Sequence, residues 1–231
     1  MSVLHEESAE LFQGRHFNHD IITFCVRWYL TYKLSYCDLV EIMAERHVDL
    51  AHTTIMRWVQ RYVPEFAKRW RRYTRPVGTS WRCDETSIRI KGRWVYLYRA
   101  VDREGQTVDF FLSEHRDIVA AKRFFMQAIE KRGVPQKLTL DRYAASHVAV
   151  GELQEKGILP AKLLVRTNRY LNNVIEQDYR RVKQRVRPML GFKRFAHAAI
   201  TLSGIEWNCR KVNSNSLFYT ISSVFHVRAF S

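Results

Sequence analysis

The sequence is poor in cysteine, in long apolar runs and in acidic residues, and each shortage excludes something. Cys25, Cys37, Cys83 and Cys209 form no CxxC pair, and no Cys/His set has zinc-finger spacing. This argues against a structural zinc site and against a disulfide scaffold. The four thiols read as reduced and mostly buried, as in a cytoplasmic protein. No stretch approaches the roughly 20 apolar residues of a membrane span, so no membrane partner is expected. The opening Met1-Ser2-Val3-Leu4-His5-Glu6-Glu7 has no basic region followed by an apolar run, so no signal peptide is expected either. There are no internal repeats and no low-complexity tract.

Acids are outnumbered. The 231 residues hold 23 Asp and Glu against 38 Lys and Arg, a net charge of +15. Such a surplus says little about fold but much about partners: a polyanion is the natural one, and nucleic acid is the commonest. Composition alone leaves open a protein that merely coats nucleic acid. The balance is otherwise globular, with 46% hydrophobic and 26% charged residues. The length suits one large domain, or one full domain with a small second one.

Before Pro64 the pattern is helical only. A first helix is predicted over His19–Tyr32, with Ile22, Val26, Tyr29 and Leu30 on one face. A second starts after Ser35, an N-cap with Asp38 three residues on. A third begins near Thr53 and buries Ile55, Val59 and Tyr62, with Trp58 beside them. Thr53, Thr54, Arg57, Gln60 and Arg61 are left facing outward. Three short helices with this outward chemistry suggest a helix-turn-helix whose third helix enters the major groove, although a plain three-helix bundle has the same pattern. The basic run Lys68-Arg69-Trp70-Arg71-Arg72-Tyr73-Thr74-Arg75 interleaves aromatic and cationic side chains, as backbone-binding segments do.

From Trp81 the period changes to that of strands. Strands are predicted over Trp81–Ile90, Arg93–Val101 and Thr107–Leu112, the first two joined by a Lys91-Gly92 turn. A helix over Ile118–Arg132 follows, then a strand over Lys137–Leu140, a helix over Ala144–Lys156 and a strand over Lys162–Arg166. Helices over Asn173–Arg187 and Phe195–Arg210 close the series. Three meandering strands followed by helix, strand, helix, strand and two helices is the ribonuclease H-like order, an α/β fold with a mixed sheet and flanking helices.

Three acids stand at telling places in that order. Asp84 lies inside the first strand, Asp141 ends the fourth, and Glu176 opens the long helix. Transfer of a phosphoryl group between DNA strands needs an activated attacking oxygen and a stabilised leaving oxygen, and two divalent ions about 3.5–4 Å apart supply both. Mg²⁺ or Mn²⁺ takes oxygen ligands, so a few carboxylates and the substrate's phosphates suffice. In the long helix Ile175, Tyr179, Val182 and Val186 make a buried stripe. Glu176, Arg180, Lys183 and Arg187 share an adjacent face, which would set cations beside DNA phosphates. The plainer alternative is an amphipathic helix with Glu–Arg pairs, and aspartates that only form turns.

Asp84, Asp141 and Glu176, with 34 residues between the last two and Lys183 seven residues after the Glu, resemble the DDE motif of bacterial insertion-sequence transposases. More narrowly, the chain resembles the insertion sequence six family from about Phe12 to Glu206. The similarity runs through Phe17–Trp28, Asp38–Trp70, Gly92–Asp109, Tyr170–Gln177 and Arg187–Phe195. His47, Arg142 and Tyr179 depart from the family pattern, Tyr179 standing where relatives usually carry His. After Glu206 the match fades.

The resemblance implies a transposase that binds terminal inverted repeats and target DNA and works as a homo-oligomer, at least a dimer. Asp84, Asp141 and Glu176 would be both catalytic residues and ligands of two Mg²⁺ or Mn²⁺ ions. Lys183, Arg180, Arg187, Thr53, Thr54, Arg57 and Arg61 would contact DNA. The reaction would free 3′-hydroxyl ends that attack target DNA, giving replicative cointegrates in the bacterial nucleoid. The domains expected are a helix-turn-helix at 1–63, a basic linker helix at 64–80, the catalytic domain at 81–212 and a divergent tail at 213–231. Two other readings share these features: a catalytically silent DNA-binding regulator or decayed copy, and a nuclease of the same fold that cuts without joining.

Overall fold

A computed structural model describes residues 11–14, 16–70, 76–167, 173–187 and 192–209. The side chains at 70, 173–178, 181 and 207–209 lie outside that description. The chain forms two compact units, one of Met1–Trp70 with Ile200–Ser231 and one of Arg71–Ala199.

The first unit is helical. Helix α1 spans His19–Thr31 and starts where the Asn18 side chain accepts from the Asp20 N–H. Helix α2 spans Tyr36–Ala44 behind a complete capping box. There the Ser35 hydroxyl accepts from the Asp38 N–H, and the Asp38 carboxylate accepts from the Ser35 N–H. Each orphan donor of the first turn satisfied this way is worth about 1 kcal/mol. Helix α3 spans His52–Trp70. Ile22, Val26, Leu30, Leu39, Ile55 and Val59 meet in the core, as their spacing predicts.

Two features of this unit differ from expectation. Helix α3 runs on through Pro64 instead of yielding to a separate linker helix. Pro64 lacks the N–H that would reach the Gln60 carbonyl, but it is exposed, and the helix continues because Tyr62, Val63 and Phe66 stay buried on the other side. In addition, helix α7, Phe195–Cys209, contributes its residues from Ile200 onward to this unit, not to the second one. At Gly204 an added Cβ would lie 2.7 Å from a Leu30 methyl and 3.0 Å from one of Val63. Only a residue without a side chain lets the helix come this near.

The second unit is built on a five-stranded sheet of order β3-β2-β1-β4-β5. Its strands are β1 Ser80–Ile90, β2 Arg93–Val101, β3 Thr107–Ser113, β4 Lys137–Leu140 and β5 Leu164–Thr167. β1, β2 and β3 form an antiparallel meander, while β4 is parallel to both β1 and β5. The β1–β2 hairpin turns at Lys91 and Gly92, whose φ values of 49° and 78° match the right-handed twist of the strands it joins.

Parallel pairing demands crossovers. These are helix α4, Ile118–Arg132, capped by Asp117 and ended by Gly133, and helix α5, Ala144–Glu155. Trp81, Cys83, Tyr98, Phe124, Leu138 and Leu153 bring sheet and crossover helices together in one core. β5 begins two residues later than its apolar pattern suggests, because Leu163 closes a turn onto the Pro160 carbonyl and is buried there. Helix α6, Asn173–Val186, reaches β1 and β2 through the Tyr179 hydroxyl. The strand order and directions make this a ribonuclease H-like α/β fold.

Candidate active site

Register decides which acids can meet. β1 and β4 run side by side with Arg82 opposite Thr139; two residues further on stand Asp84, still within β1, and Asp141, just past the end of β4. β4 stops at Leu140, so beyond it the edge of β1 opens and the two carboxylates share the gap. A third acid joins them: one oxygen each from Asp84, Glu85 and Asp141 lie within 4.8 Å of one another. All three residues are half-buried.

The surroundings fix these side chains. The Glu85 N–H donates to Asp84 Oδ1 at 2.9 Å, and the Tyr143 N–H donates to Asp141 Oδ1 at 3.0 Å. His147 Nε2 lies 2.8 Å from the Asp141 carbonyl oxygen. Glu85 pairs with Arg116, whose Nε–H donates to its Oε1 at 3.0 Å. Burial nevertheless holds the Glu85 carboxyl above the usual carboxylate range, against the opposing pull of Arg116 and with help from the charge of Asp141. Glu85, Arg116 and Tyr143 were not among the residues singled out from sequence. The only local hint was a second acid directly after Asp84.

Helix α6 supplies the cations. A cleft of about 480 Å³ lies between Asp84, Glu85 and Thr86 on β1 and Tyr179, Arg180, Lys183, Gln184 and Arg187 on the other side. Arg180, Lys183 and Arg187 are exposed, whereas Tyr179 and Val182 are buried, as the helical phase predicts. The Tyr179 hydroxyl lies 2.6 Å from the Asp84 carbonyl oxygen and 3.3 Å from that of Leu97. The helix is therefore tied to the peptide that carries the first aspartate. Glu176 sits in the same helix, but its side chain lies outside the described residues, as does the expected cap Asn172. In the helical unit Thr53, Arg57 and Arg61 are exposed on α3 and Thr54 is half-buried.

The acid cluster offers oxygen donors only. That set suits a hard divalent cation such as Mg²⁺ or Mn²⁺ and is a poor match for softer metals. Cations along the facing helix suit an anionic, phosphate-bearing substrate.

A family model for a DDE domain matches residues 78–213. A transposase for the insertion sequence-like element IS431mec of Staphylococcus aureus is 41% identical over 195 residues, which cover 84% of this chain and 85% of the relative. The chain belongs to the insertion sequence six family of DDE transposases. A second member, the transposase for IS257 in transposon Tn4003 of the same species, is 40% identical over the same share of both chains. The matched domain of this transposase contains Asp84, Asp141, Glu176 and Lys183. Among solved structures, the catalytic core of HTLV-2 integrase in complex with magnesium superposes with a TM-score of 0.44 at 15% identity, over 57% of this chain and 86% of that one. The core of BIV integrase does so with a TM-score of 0.42 at 16% identity, over 58% and 86%. Among the described residues of the transposase, no helix is long and apolar enough to cross a membrane.

Proposed function

We propose that this transposase binds the terminal inverted repeats of its own element, frees 3′-hydroxyl ends there, and joins those ends to target DNA. The observation that carries the reading is the meeting of Asp84 and Asp141 at the open edge of β1, with Asp84 lining a cleft whose other side is the cationic face of α6. Glu176 completes the set as the third acid, seven residues before Lys183 on that helix. The three carboxylates would hold two Mg²⁺ or Mn²⁺ ions, which supply activation of the attacking oxygen and stabilisation of the leaving one.

The rest of the work falls to side chains of the chain itself. Lys183, Arg180 and Arg187 grip backbone phosphates and lay the strand across the acids. Tyr179 keeps α6 at a fixed distance from Asp84, so that the phosphate held by the cations stays in reach of the carboxylates. In the helical unit, α3 serves as the recognition helix of a helix-turn-helix, with Thr53, Thr54, Arg57 and Arg61 toward the DNA. The helical unit, Met1–Trp70 with Ile200–Ser231, is the end-binding domain, and the unit Arg71–Ala199 is the catalytic domain. Two ends must be joined together, which calls for at least a dimer. The product is a replicative cointegrate made at the bacterial nucleoid.

The test uses purified full-length protein and labelled duplexes that carry the element's ends. With Mg²⁺ or Mn²⁺, nicks with free 3′-hydroxyls appear at the ends and become joined to a second duplex. A chelator stops both. Nicking without any joined product would mark the chain as a nuclease, and no product at all would mark it as a silent DNA binder.

A further inference from the structure

The acid cluster contains one carboxylate more than the proposed reaction uses, and that acid is held by an unusual set of contacts. The Glu85 side chain is 3% exposed, against 41% for its partner Arg116. Arg116 comes from the loop between β3 and α4, directly before Asp117, the cap of α4. Its Nε–H and Nη2–H both donate to Glu85 Oε1. Its guanidinium carbon lies 3.9 Å from the centre of the Tyr143 ring, in stacking distance. The Tyr143 hydroxyl donates back to the Arg116 carbonyl at 2.8 Å. The Tyr143 N–H in turn donates to Asp141 Oδ1. One arginine thus joins β1, the loop after β3 and the loop after β4, and its chain of contacts ends on a proposed ligand.

We infer that Arg116 is a positioning residue of the active site: held in place by Tyr143, it balances the charge of Glu85 and keeps that carboxylate away from the ion proposed to sit on Asp84 and Asp141. The inference rests on the metal-binding role proposed for Asp84 and Asp141. The physical demand is clear. A buried carboxylate without a partner is costly, and one that stands within 4.8 Å of two others is costlier still. Without Arg116, the Glu85 carboxylate loses its partner and turns toward the divalent ion as a competing ligand. That changes how the aspartates hold the ion.

The burial of the two partners makes the prediction asymmetric. Arg116 is exposed enough for water to replace Glu85, whereas Glu85 cannot replace Arg116. Arg116→Ala should therefore do far more harm than Glu85→Gln. Removing the Glu85 charge as well should undo most of that harm. A residue that served only to brace the loop would give no such rescue, because the brace is missing in both proteins.

The experiment measures Mn²⁺ binding to the full-length protein without DNA, by calorimetry, alongside the thermal midpoint. The proteins are the wild type, Arg116→Ala, Glu85→Gln, the double variant and Asp141→Asn. Expected is a shift in Mn²⁺ affinity of about fivefold or more for Arg116→Ala, with the double variant within about twofold of Glu85→Gln, a coupling of the size seen between contacting charges. If the double variant stays as far displaced as Arg116→Ala, or if Arg116→Ala binds Mn²⁺ like the wild type, the inference is overturned. Should Arg116→Ala not fold, Arg116→Lys with and without Glu85→Gln carries the same comparison. Asp141→Asn separates the two readings: it should lose Mn²⁺ binding whatever Arg116 does, and retained binding there would overturn the proposed metal site itself.

Discussion

Replacing Tyr179 by Phe removes one oxygen and keeps the ring. A phenol has a single proton to donate, and of its two carbonyl neighbours Asp84 at 2.6 Å is much nearer than Leu97 at 3.3 Å. The variant therefore loses chiefly the bond to the Asp84 peptide. Tyr179 is 5% exposed, so water does not readily take the vacated place. Leaving a buried acceptor short of its donor costs about 1–3 kcal/mol. In a protein of this size each kcal/mol is worth roughly 2–4 °C in the thermal midpoint, so a fall near 5 °C is expected. The effect on the reaction should be larger than the stability loss suggests. A misplacement of about 1 Å can cost about 100-fold, and a partial slip of α6 against β1 should cost about tenfold in end cleavage at saturating metal. Binding of end DNA should change little, since the cations of α6 remain. A variant with the wild-type midpoint and cleavage rate would show that the hydroxyl positions nothing.

Other outcomes follow from single features of the structure. His47 holds a φ of 58°, a left-handed backbone that costs a residue with a side chain about 1–2 kcal/mol. His47→Gly should raise the midpoint by about 2–4 °C after the entropy of glycine is allowed for, and an unchanged midpoint would remove the claim of strain. The Glu85 carboxyl titrates above its unfolded value, so its contribution to stability is full at low pH and is lost as pH rises from the ordinary carboxylate range through the folded value. The midpoint of Glu85→Gln relative to wild type should accordingly climb as pH rises from that range toward neutrality; a flat or falling difference would contradict the assigned direction. Lys183→Ala should fold normally and bind DNA with a log–log salt slope shallower by about one, and an unfolded variant would instead make Lys183 structural.

Much of this architecture was legible because it is local. Ser35 and Asp38 mark the start of α2 in four residues, and Asp117 and Gly133 bracket α4 without reference to the rest of the chain. The acids were legible for a related reason: strand order, read from the run of elements, puts β1 beside β4, and Asp84 and Asp141 follow from it. What stayed hidden depends on distance in sequence. Nothing near Arg116 signals a partner 31 residues away, and Glu85 looked like an ordinary neighbour of Asp84. Pro64 reads as a stop for a helix, yet buried neighbours on the opposite side carry α3 past it. The place of Gly204 against Leu30 and Val63 is a packing fact with no local pattern, which is why α7 was expected wholly within the catalytic domain.

The central claim is that Asp84, Asp141 and Glu176 act on the strand and not on the recognition of the ends. Asp84→Asn, Asp141→Asn and Glu176→Gln each keep the side-chain shape and remove one negative charge. The decisive measurement follows end binding and strand cleavage with joining, side by side, for these three variants and the wild type in Mg²⁺. Binding rests on cations elsewhere, so it should be retained or slightly strengthened in all three, while cleavage and joining fall below detection. Normal cleavage by any one of the variants would contradict the account, and so would loss of end binding that parallels the loss of cleavage.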